Sequence, residues 1–200
     1  MYNRKKVKIC RRFGERIFPE VKVTDTRLAV APGSQPGRRR RGGMSEYGRQ
    51  LLEKQKVKYA YGLREKQFRN TYNKALRLNE PTPTALLKLL ERRLDNAVYR
   101  ASMGSTRDQA RQLVSHGHIL VNGKKLTIPS YVVREGDVLS FAENSSKIVL
   151  ARKEAMKDVE LAGWLVLDAK KGTVTVTKDP VVDELSQAFN LSLVVQFYSR

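Results

Sequence analysis

The sequence predicts an α+β protein, in which an extended basic segment precedes a helical domain and a small α/β domain. The prediction rests on changes of pattern along the chain. Residues 1–44 contain prolines and glycines without sustained periodicity, whereas the apolar residues of 45–101 recur at helical spacing. Residues 106–177 add one helical stretch and several short apolar runs bounded by glycine turns. In the α/β domain, placed at residues 92–180, we expect two helices packed on a short, mostly antiparallel sheet.

Two helices are predicted first in the helical domain, which we place at residues 45–91. Ser45 is a suitable N-cap for a helix that extends to about Tyr59, and Gly62 separates it from a second helix over residues 63–78. Aromatic residues at helical spacing more often form a core than a platform for stacked bases. We therefore expect the aromatic residues of this pair to pack between the helices. They are Tyr47, Tyr59, Tyr61, Phe68 and Tyr72.

One further helix is predicted over residues 82–101, where a proline at the second position suits a first turn. At 100° per residue, six apolar residues share one stripe. They are Leu86, Leu90, Leu94, Ala97, Val98 and Ala101. A neighbouring arc collects Arg92, Arg93, Asn96 and Arg100. Glu91 and Asp95 fall on the side away from Arg93 and Arg100. Since a solvated face would tend to mix its charges, this segregation favours a binding face.

A short helix and a hairpin follow. Thr106 and Gln109 have the spacing of a capping box, and Gly117 ends the helix. The N-terminus of this helix offers backbone N–H groups to a phosphate. Asn122 and Gly123 then form a two-residue type I′ turn signal, with two lysines at the tip. Further strands are predicted at residues 131–133, 138–141 and 147–150, and a second hairpin pairs 164–167 with 173–177.

The charge of the chain favours an RNA partner. It has 39 Lys and Arg against 20 Asp and Glu, a formal net charge of +19. Residues 1–43 carry 13 basic and 3 acidic side chains, whereas residues 156–200 carry 5 and 6. A partner that contacts the N-terminal three quarters would produce this gradient. A run of four arginines lies between structured segments, which favours contact with phosphate over a solvated tail. It comprises Arg38, Arg39, Arg40 and Arg41.

Other classes of function find little support. Cys10 is the single cysteine, so the chain cannot form an internal disulfide and lacks the ligands of a cysteine-rich zinc site. No apolar run approaches the roughly 20 residues of a membrane span. His116 and His118 are the two histidines, and no nucleophile–base or metal-ligand arrangement assembles around them. We therefore expect no metal, no cofactor, no membrane partner, no small-molecule substrate and no enzymatic activity.

Several segments resemble a known family. RLDNAVYRASMGSTRDQARQLVSHGHILVNGKKL (residues 93–126) resembles the S-four-type RNA-binding domain. SEYGRQLLEKQKVKYAYGLREKQFR (45–69), LLKLLERRLDNAVYR (86–100), IPSYVVREGDVLSF (128–141) and the terminal QFYSR resemble the bacterial type of small-subunit ribosomal protein four. The resemblance covers most of residues 28–200. It implies that residues 181–200 complete the helical domain.

The resemblance also implies a function and a set of contacts. Members of this family are structural proteins that bind the 5′ domain of small-subunit ribosomal RNA early in assembly. They lie beside small-subunit proteins three and five where messenger RNA enters, and they influence decoding accuracy. Carried over to this chain, the RNA face of the domain comprises Arg93, Asn96, Thr106, Arg107, Arg111, Gln112, His116, Asn122 and Lys124. Relatives with a cysteine cluster near the N-terminus bind zinc, and Cys10 alone cannot.

Charge adds further candidate RNA-binding residues outside that set. They are Arg11, Arg12, the run Arg38 to Arg41, Arg49, Lys54, Lys56, Lys58, Arg64, Arg69 and Arg100. One alternative is an RNA-modifying or RNA-handling enzyme that uses the same domain, although such enzymes need a separate catalytic module. The expected location is the small ribosomal subunit in the bacterial cytoplasm, with an organellar ribosome left open.

Overall fold

The computed structural model describes residues 6–33, 43–142, 161–168, 171–180 and 189–199. Within them the α+β fold class is confirmed. The chain forms two compact units, one of residues 1–70 with 186–200 and one of residues 71–185. The domain limits inferred from the sequence stay predictions. The expected strand at 147–150 and residues 181–188 lie outside the described residues.

The N-terminal segment contains two short helices, α1 (Lys6–Phe13) and α2 (Asp25–Leu28). Cys10, Val23 and Leu28 are buried together, and partly buried Phe18 and Val21 pack against them. The prediction of an extended segment is therefore wrong for residues 6–33. Periodicity missed this cluster because a loop, rather than one regular element, brings its members together.

Two longer helices follow, α3 (Glu46–Ala60) and α4 (Glu65–Ala75), much as the sequence predicts. The Ser45 hydroxyl accepts a hydrogen bond from the Gly48 backbone N–H at 3.2 Å, which confirms the predicted N-cap. Four of the five aromatic residues are buried, as expected for packing residues. They are Tyr59, Tyr61, Phe68 and Tyr72. Tyr47 is 51% exposed, and its ring lies 5.6 Å from that of Phe197, so the expectation is wrong at this position.

The C-terminal helix α8 (Leu191–Tyr198) packs against α3 in the first unit. Asn190 caps it, accepting a hydrogen bond from the Leu193 N–H, and the Asn190 N–H donates to the Glu53 carboxylate at 2.8 Å. Leu191 and Val194 are buried. The expectation that the apolar tail is buried is confirmed for these residues.

An ion-pair cluster ties α3, α4 and α8 together. Glu65 Oε1 accepts hydrogen bonds from Lys54 Nζ at 2.6 Å and Tyr198 Oη at 2.9 Å, and Oε2 accepts from Lys58 Nζ at 2.7 Å. Lys54 Nζ also lies 4.4 Å from the centre of the Phe197 ring. Burial raises the pKa of Glu65, but the two lysines and Tyr198 outweigh it and lower that pKa from 4.5 to about 2.

We expect the contribution of this cluster to the stability of the chain to fall as the pH becomes acidic. Because the folded pKa of Glu65 lies below the unfolded value, its contribution is fully present above about pH 4.5. It is lost as the pH falls towards about 2. The carboxylate is 47% exposed, so screening limits the contribution to about 1 kcal/mol. Glu65→Gln should be less stable than wild type at pH 7, and urea unfolding should show this difference shrinking below pH 4.5. A difference that is constant with pH would contradict the prediction.

The second unit begins with α5 (Thr82–Glu91), α6 (Leu94–Arg100) and α7 (Arg107–Ser115). The prediction of one helix over 82–101 is wrong, because the chain leaves helical geometry at residues 92 and 93. There its backbone pairs with residues 129–133: the Leu94 N–H donates to the Tyr131 carbonyl at 2.8 Å, and the Val133 N–H donates to that of Arg92 at 2.8 Å. The six predicted core positions of this stretch are nonetheless fully buried.

In the described part of this unit, five strands form an antiparallel sheet in the order β2-β1-β3-β5-β4. The strands are β1 (Ile119–Val121), β2 (Lys124–Lys125), β3 (Val138–Phe141), β4 (Leu165–Asp168) and β5 (Thr173–Val176). Both predicted hairpins are confirmed, β1–β2 and β4–β5. One core joins α6 and α7 to the inner face of the sheet, with Ile119, Leu139 and Val174 among its buried members.

Candidate nucleic-acid interface

The N-terminus of α7 is fixed by a cap and by close packing. The Thr106 hydroxyl accepts a hydrogen bond from the Gln109 N–H at 3.1 Å, which confirms half of the predicted capping box. The Gln109 side chain accepts instead from the Ser105 N–H at 2.7 Å, one residue before the expected partner. Gly104 approaches α7 so closely that a Cβ there would lie 2.9 Å from the backbone of Ala110. Nothing larger than glycine fits without displacing the helix.

Glu91, the last residue of α5, is a buried carboxylate with 0% exposure. Its two oxygens accept hydrogen bonds from Arg100 Nε at 2.9 Å and Nη2 at 3.0 Å, a two-point contact that orients the guanidinium group. Asn96 Nδ2 also donates to Glu91 Oε2, at 2.8 Å. Arg100 is held from within, while 27% of its side chain is exposed.

Asn96 connects Glu91 to Arg107 through hydrogen bonds. Because its Nδ2 donates to Glu91, its Oδ1 accepts from Arg107 Nε at 2.9 Å. The Arg107 guanidinium carbon lies 4.5 Å from the centre of the Tyr99 ring, a cation–π contact. Arg107 is therefore oriented both by a hydrogen bond and by an aromatic face.

A second buried carboxylate, Asp95, holds two more arginines. Asp95 accepts from Arg93 Nε at 3.1 Å and Nη2 at 2.9 Å, and from Arg111 Nη1 at 3.3 Å. Arg93 is 5% exposed, whereas 34% of the Arg111 side chain is exposed. We call Glu91, Asp95 and Asn96 the acceptor layer, and Arg100, Arg107 and Arg111 the arginine surface.

The prediction that Glu91 and Asp95 point away from the arginines is wrong. That projection assumed one continuous helix, and the break at residues 92 and 93 changes the direction of every side chain after it. Glu91 pairs with Arg100, and Asp95 pairs with Arg93. The acids therefore lie under the arginines and anchor them.

The β1–β2 hairpin adds lysines beside the end of α7. Asn122 and Gly123 both have positive φ, 52° and 75°, as the predicted type I′ turn requires. The Asn122 amide binds inward, since Nδ2 donates to Asp137 at 2.8 Å and Oδ1 accepts from the Val138 N–H at 2.9 Å. Lys124 is exposed. Lys125, which the sequence analysis placed at the tip but not among the RNA-binding residues, lies so close to Gly117 that a Cβ there would overlap its side chain.

The remaining candidates of the second unit are accessible. Gln112 and His116 are exposed on the last turns of α7, and the His116 ring lies 6.3 Å from that of His118. Arg93 and Asn96, by contrast, are buried. Asn96 belongs to the acceptor layer, and Arg93 is bound by Asp95 of that layer. The predicted RNA-contacting role of each residue stays a prediction, and for these two the geometry supports a role in orienting neighbouring side chains.

The candidates of the first unit differ in exposure and in their partners. Arg12, Arg49, Arg64 and Arg69 are exposed. Arg11 Nε donates to the Val30 carbonyl at 3.1 Å. The three lysines of α3 are engaged by acids: Lys54 and Lys58 by Glu65, and Lys56 by Glu15 at 2.6 Å. The run Arg38 to Arg41 lies outside the described residues.

The sequence interpretation missed the two acids and the aromatic ring that orient the arginine surface. Glu91 and Asp95 were both assigned to the side away from the arginines, and Tyr99 was given no role. One signal in the sequence could have found the acids. In ERRLDNAVYR the charged residues lie among apolar residues. Within the described ranges, no group of three or more His, Cys, Asp or Glu residues could hold a metal ion. No helix among those residues has the length and apolar character to span a bilayer.

Comparisons with known proteins show to which family the chain belongs. Residues 1–91 match the model of the ribosomal protein S4/S9 N-terminal domain, and residues 92–139 match that of the S4 domain. The small ribosomal subunit protein uS4 of Chlorobium limicola is 43% identical over 195 residues, 96% of each chain. The chain belongs to the ribosomal protein S4 family. The uS4 proteins of Hahella chejuensis (46% identical) and Halorhodospira halophila (45%) each match over 98% of this chain and 97% of their own.

Membership of the ribosomal protein S4 family confirms the resemblance inferred from the motifs, and it does not favour the enzyme alternative. The arginine surface lies within the residues that match the S4 domain. Glu91, the last residue of the match to the N-terminal domain, anchors Arg100 of the S4 domain. The acceptor layer therefore joins residues from both matched segments within one compact unit.

Proposed function

We propose that this chain is a structural protein of the small ribosomal subunit that binds ribosomal RNA through the arginine surface, α7 and the β1–β2 hairpin. The observation that carries the proposal is the oriented set of Arg100, Arg107 and Arg111, each hydrogen-bonded to a buried acceptor. Phosphate recognition needs fixed positive charge with planar donors, and arginine supplies both. The relatives that match nearly the whole chain carry the name of a small-subunit protein.

The finer role proposed is that of a primary binder of the 5′ domain, which nucleates assembly of the subunit body. Exposed Arg12, Arg49, Arg64 and Arg69 support additional RNA contact through the first unit. Proteins three and five of the small subunit are the proposed neighbours, beside the channel through which messenger RNA enters. The proposed location is the small ribosomal subunit of a bacterial cytoplasm, and the proposed activity involves no catalysis, metal or cofactor.

Binding to naked RNA tests this role. The purified chain should bind a 5′-domain transcript of small-subunit ribosomal RNA without any other ribosomal protein, and competition with transfer RNA should leave the complex intact. A primary binder needs no earlier protein to shape its site. Binding that appears only after other small-subunit proteins are added would contradict the primary role, and failure to bind the assembled subunit would contradict the ribosomal role.

The arginine run is the proposed contact with incoming messenger RNA. Replacing Arg38, Arg39, Arg40 and Arg41 by alanine should leave the S4 domain folded and subunit assembly largely intact, because these residues lie outside residues 92–139. Translation of a messenger with a stable hairpin should slow several-fold, since four phosphate-binding groups are lost. An unstructured messenger serves as the control. Equal rates on both messengers, relative to wild type, would restrict the run to ribosomal RNA.

A further inference from the structure

A contribution to stability does not by itself explain why Glu91, a charged residue, is buried. A carboxylate with 0% exposure, at the C-terminal end of α5, lies where desolvation and the helix dipole both disfavour its charge. Well-packed apolar residues of similar volume often stabilise an interior as well as a buried ion pair does. A role beyond stability would explain why a charged residue occupies this position.

The contacts of Glu91 supply that role. Its two oxygens bind the Arg100 guanidinium group at two points, and one of them also binds the Asn96 amide. The amide in turn presents its oxygen to Arg107. One buried carboxylate thus orients two members of the arginine surface, Arg100 directly and Arg107 through Asn96.

We infer that Glu91 is a positioning residue that gives the arginine surface its preference for folded RNA over single strands. Side chains fixed before binding lose little conformational entropy on binding, and this advantage is greatest when the phosphates of the partner are fixed as well. A flexible single strand adapts its phosphates to mobile arginines and depends mainly on net charge. The inference rests on the proposed function and adds the discrimination between RNA classes.

The test uses a substitution whose electrostatic effect opposes its expected result. Glu91→Gln makes the full-length chain more positive by one charge, so charge alone predicts tighter binding to every RNA. The positioning role predicts about tenfold weaker binding to a folded 5′-domain fragment, because glutamine cannot accept at both oxygens. Binding to an oligouridylate of equal length should be unchanged or slightly tighter. Equal or tighter binding of the folded fragment by the variant would overturn the inference.

A double-mutant cycle with Arg100→Ala separates positioning from a general structural effect. If Glu91 acts through its arginines, Glu91→Gln should cause a smaller loss of folded-RNA affinity in the Arg100→Ala background than in wild type. Because Glu91 also acts on Arg107 through Asn96, an equal loss that persists after Arg107→Ala is added would overturn the inference. Circular dichroism and thermal unfolding of each variant establish that the compared proteins are folded.

Arg100→Lys keeps the test decisive if Glu91→Gln does not fold. Lysine retains the charge and an ion pair with the intact Glu91, but it lacks the planar two-point contact. We expect about tenfold weaker binding of the folded fragment and a much smaller loss for oligouridylate, which depends mainly on the retained charge. Wild-type affinity for the folded fragment would overturn the inference. A wild-type chain without any preference for the folded fragment would instead contradict the proposed function, so the two failures are distinguishable.

Discussion

Replacing Arg107 and Arg111 together by alanine should weaken binding to the 5′-domain fragment by about a hundredfold at moderate salt. Both arginines are fixed by the acceptor layer, so each presents an oriented donor group to a phosphate. Binding of the wild-type chain should itself fall steeply with salt. Six to ten phosphate contacts correspond to a loss of roughly a thousandfold to a hundred-thousandfold between about 50 and 200 mM salt.

The slope of log K against log salt distinguishes phosphate contact from an indirect effect. Loss of two contacts should reduce the magnitude of this slope by about two, because each contact releases close to one counterion. Lys171→Ala with Lys178→Ala is a matched control, since it removes the same charge from exposed positions of the same unit. We expect a much smaller change of slope for the control. Equal slopes for wild type and the Arg107/Arg111 variant would remove these arginines from the interface.

The sequence predicted the parts of this fold that depend on local pattern. The Ser45 cap, the Asn122–Gly123 turn and the apolar stripe from Leu86 to Ala101 are each decided by neighbouring residues, and the structure confirms them. The helix break at residues 92 and 93 depends instead on pairing with residues 129–133, which no local pattern encodes.

The candidate site was predicted less completely for the same reason. Its basic residues were recognisable from charge and motif, but their orientation depends on the break. A projection at 100° per residue placed Glu91 and Asp95 opposite the arginines that they bind. Correcting the error changes the role of these acids. They do not lie on the opposite helix face but anchor the arginine surface. Sequence thus identified the basic residues of this surface, and tertiary contacts decided how their side chains are oriented.

Removing one member of the acceptor layer should strongly destabilise the second unit, and Asp95→Ala tests this. The substitution leaves the Arg93 guanidinium group, 5% exposed, without its two-point partner. An uncompensated buried charge of this kind costs about 3–5 kcal/mol. Asp179→Ala is the matched control, because Asp179 pairs with Arg92 at 3.0 Å in the same unit with 48% of its side chain exposed. The control should cost less than about 1 kcal/mol. Urea unfolding measures both.

A compensating substitution shows whether the buried charge is the cause of that loss. Asp95→Ala combined with Arg93→Met removes the unpaired guanidinium group while keeping an unbranched chain that fills its volume, so much of the lost stability should return. The same protein should still bind the 5′-domain fragment more weakly than wild type, because Arg111 has lost its anchor at Asp95. Stability that stays low in the double variant would assign the loss to the cavity left by Asp95. Restored stability with wild-type RNA affinity would show that Arg111 needs no anchor.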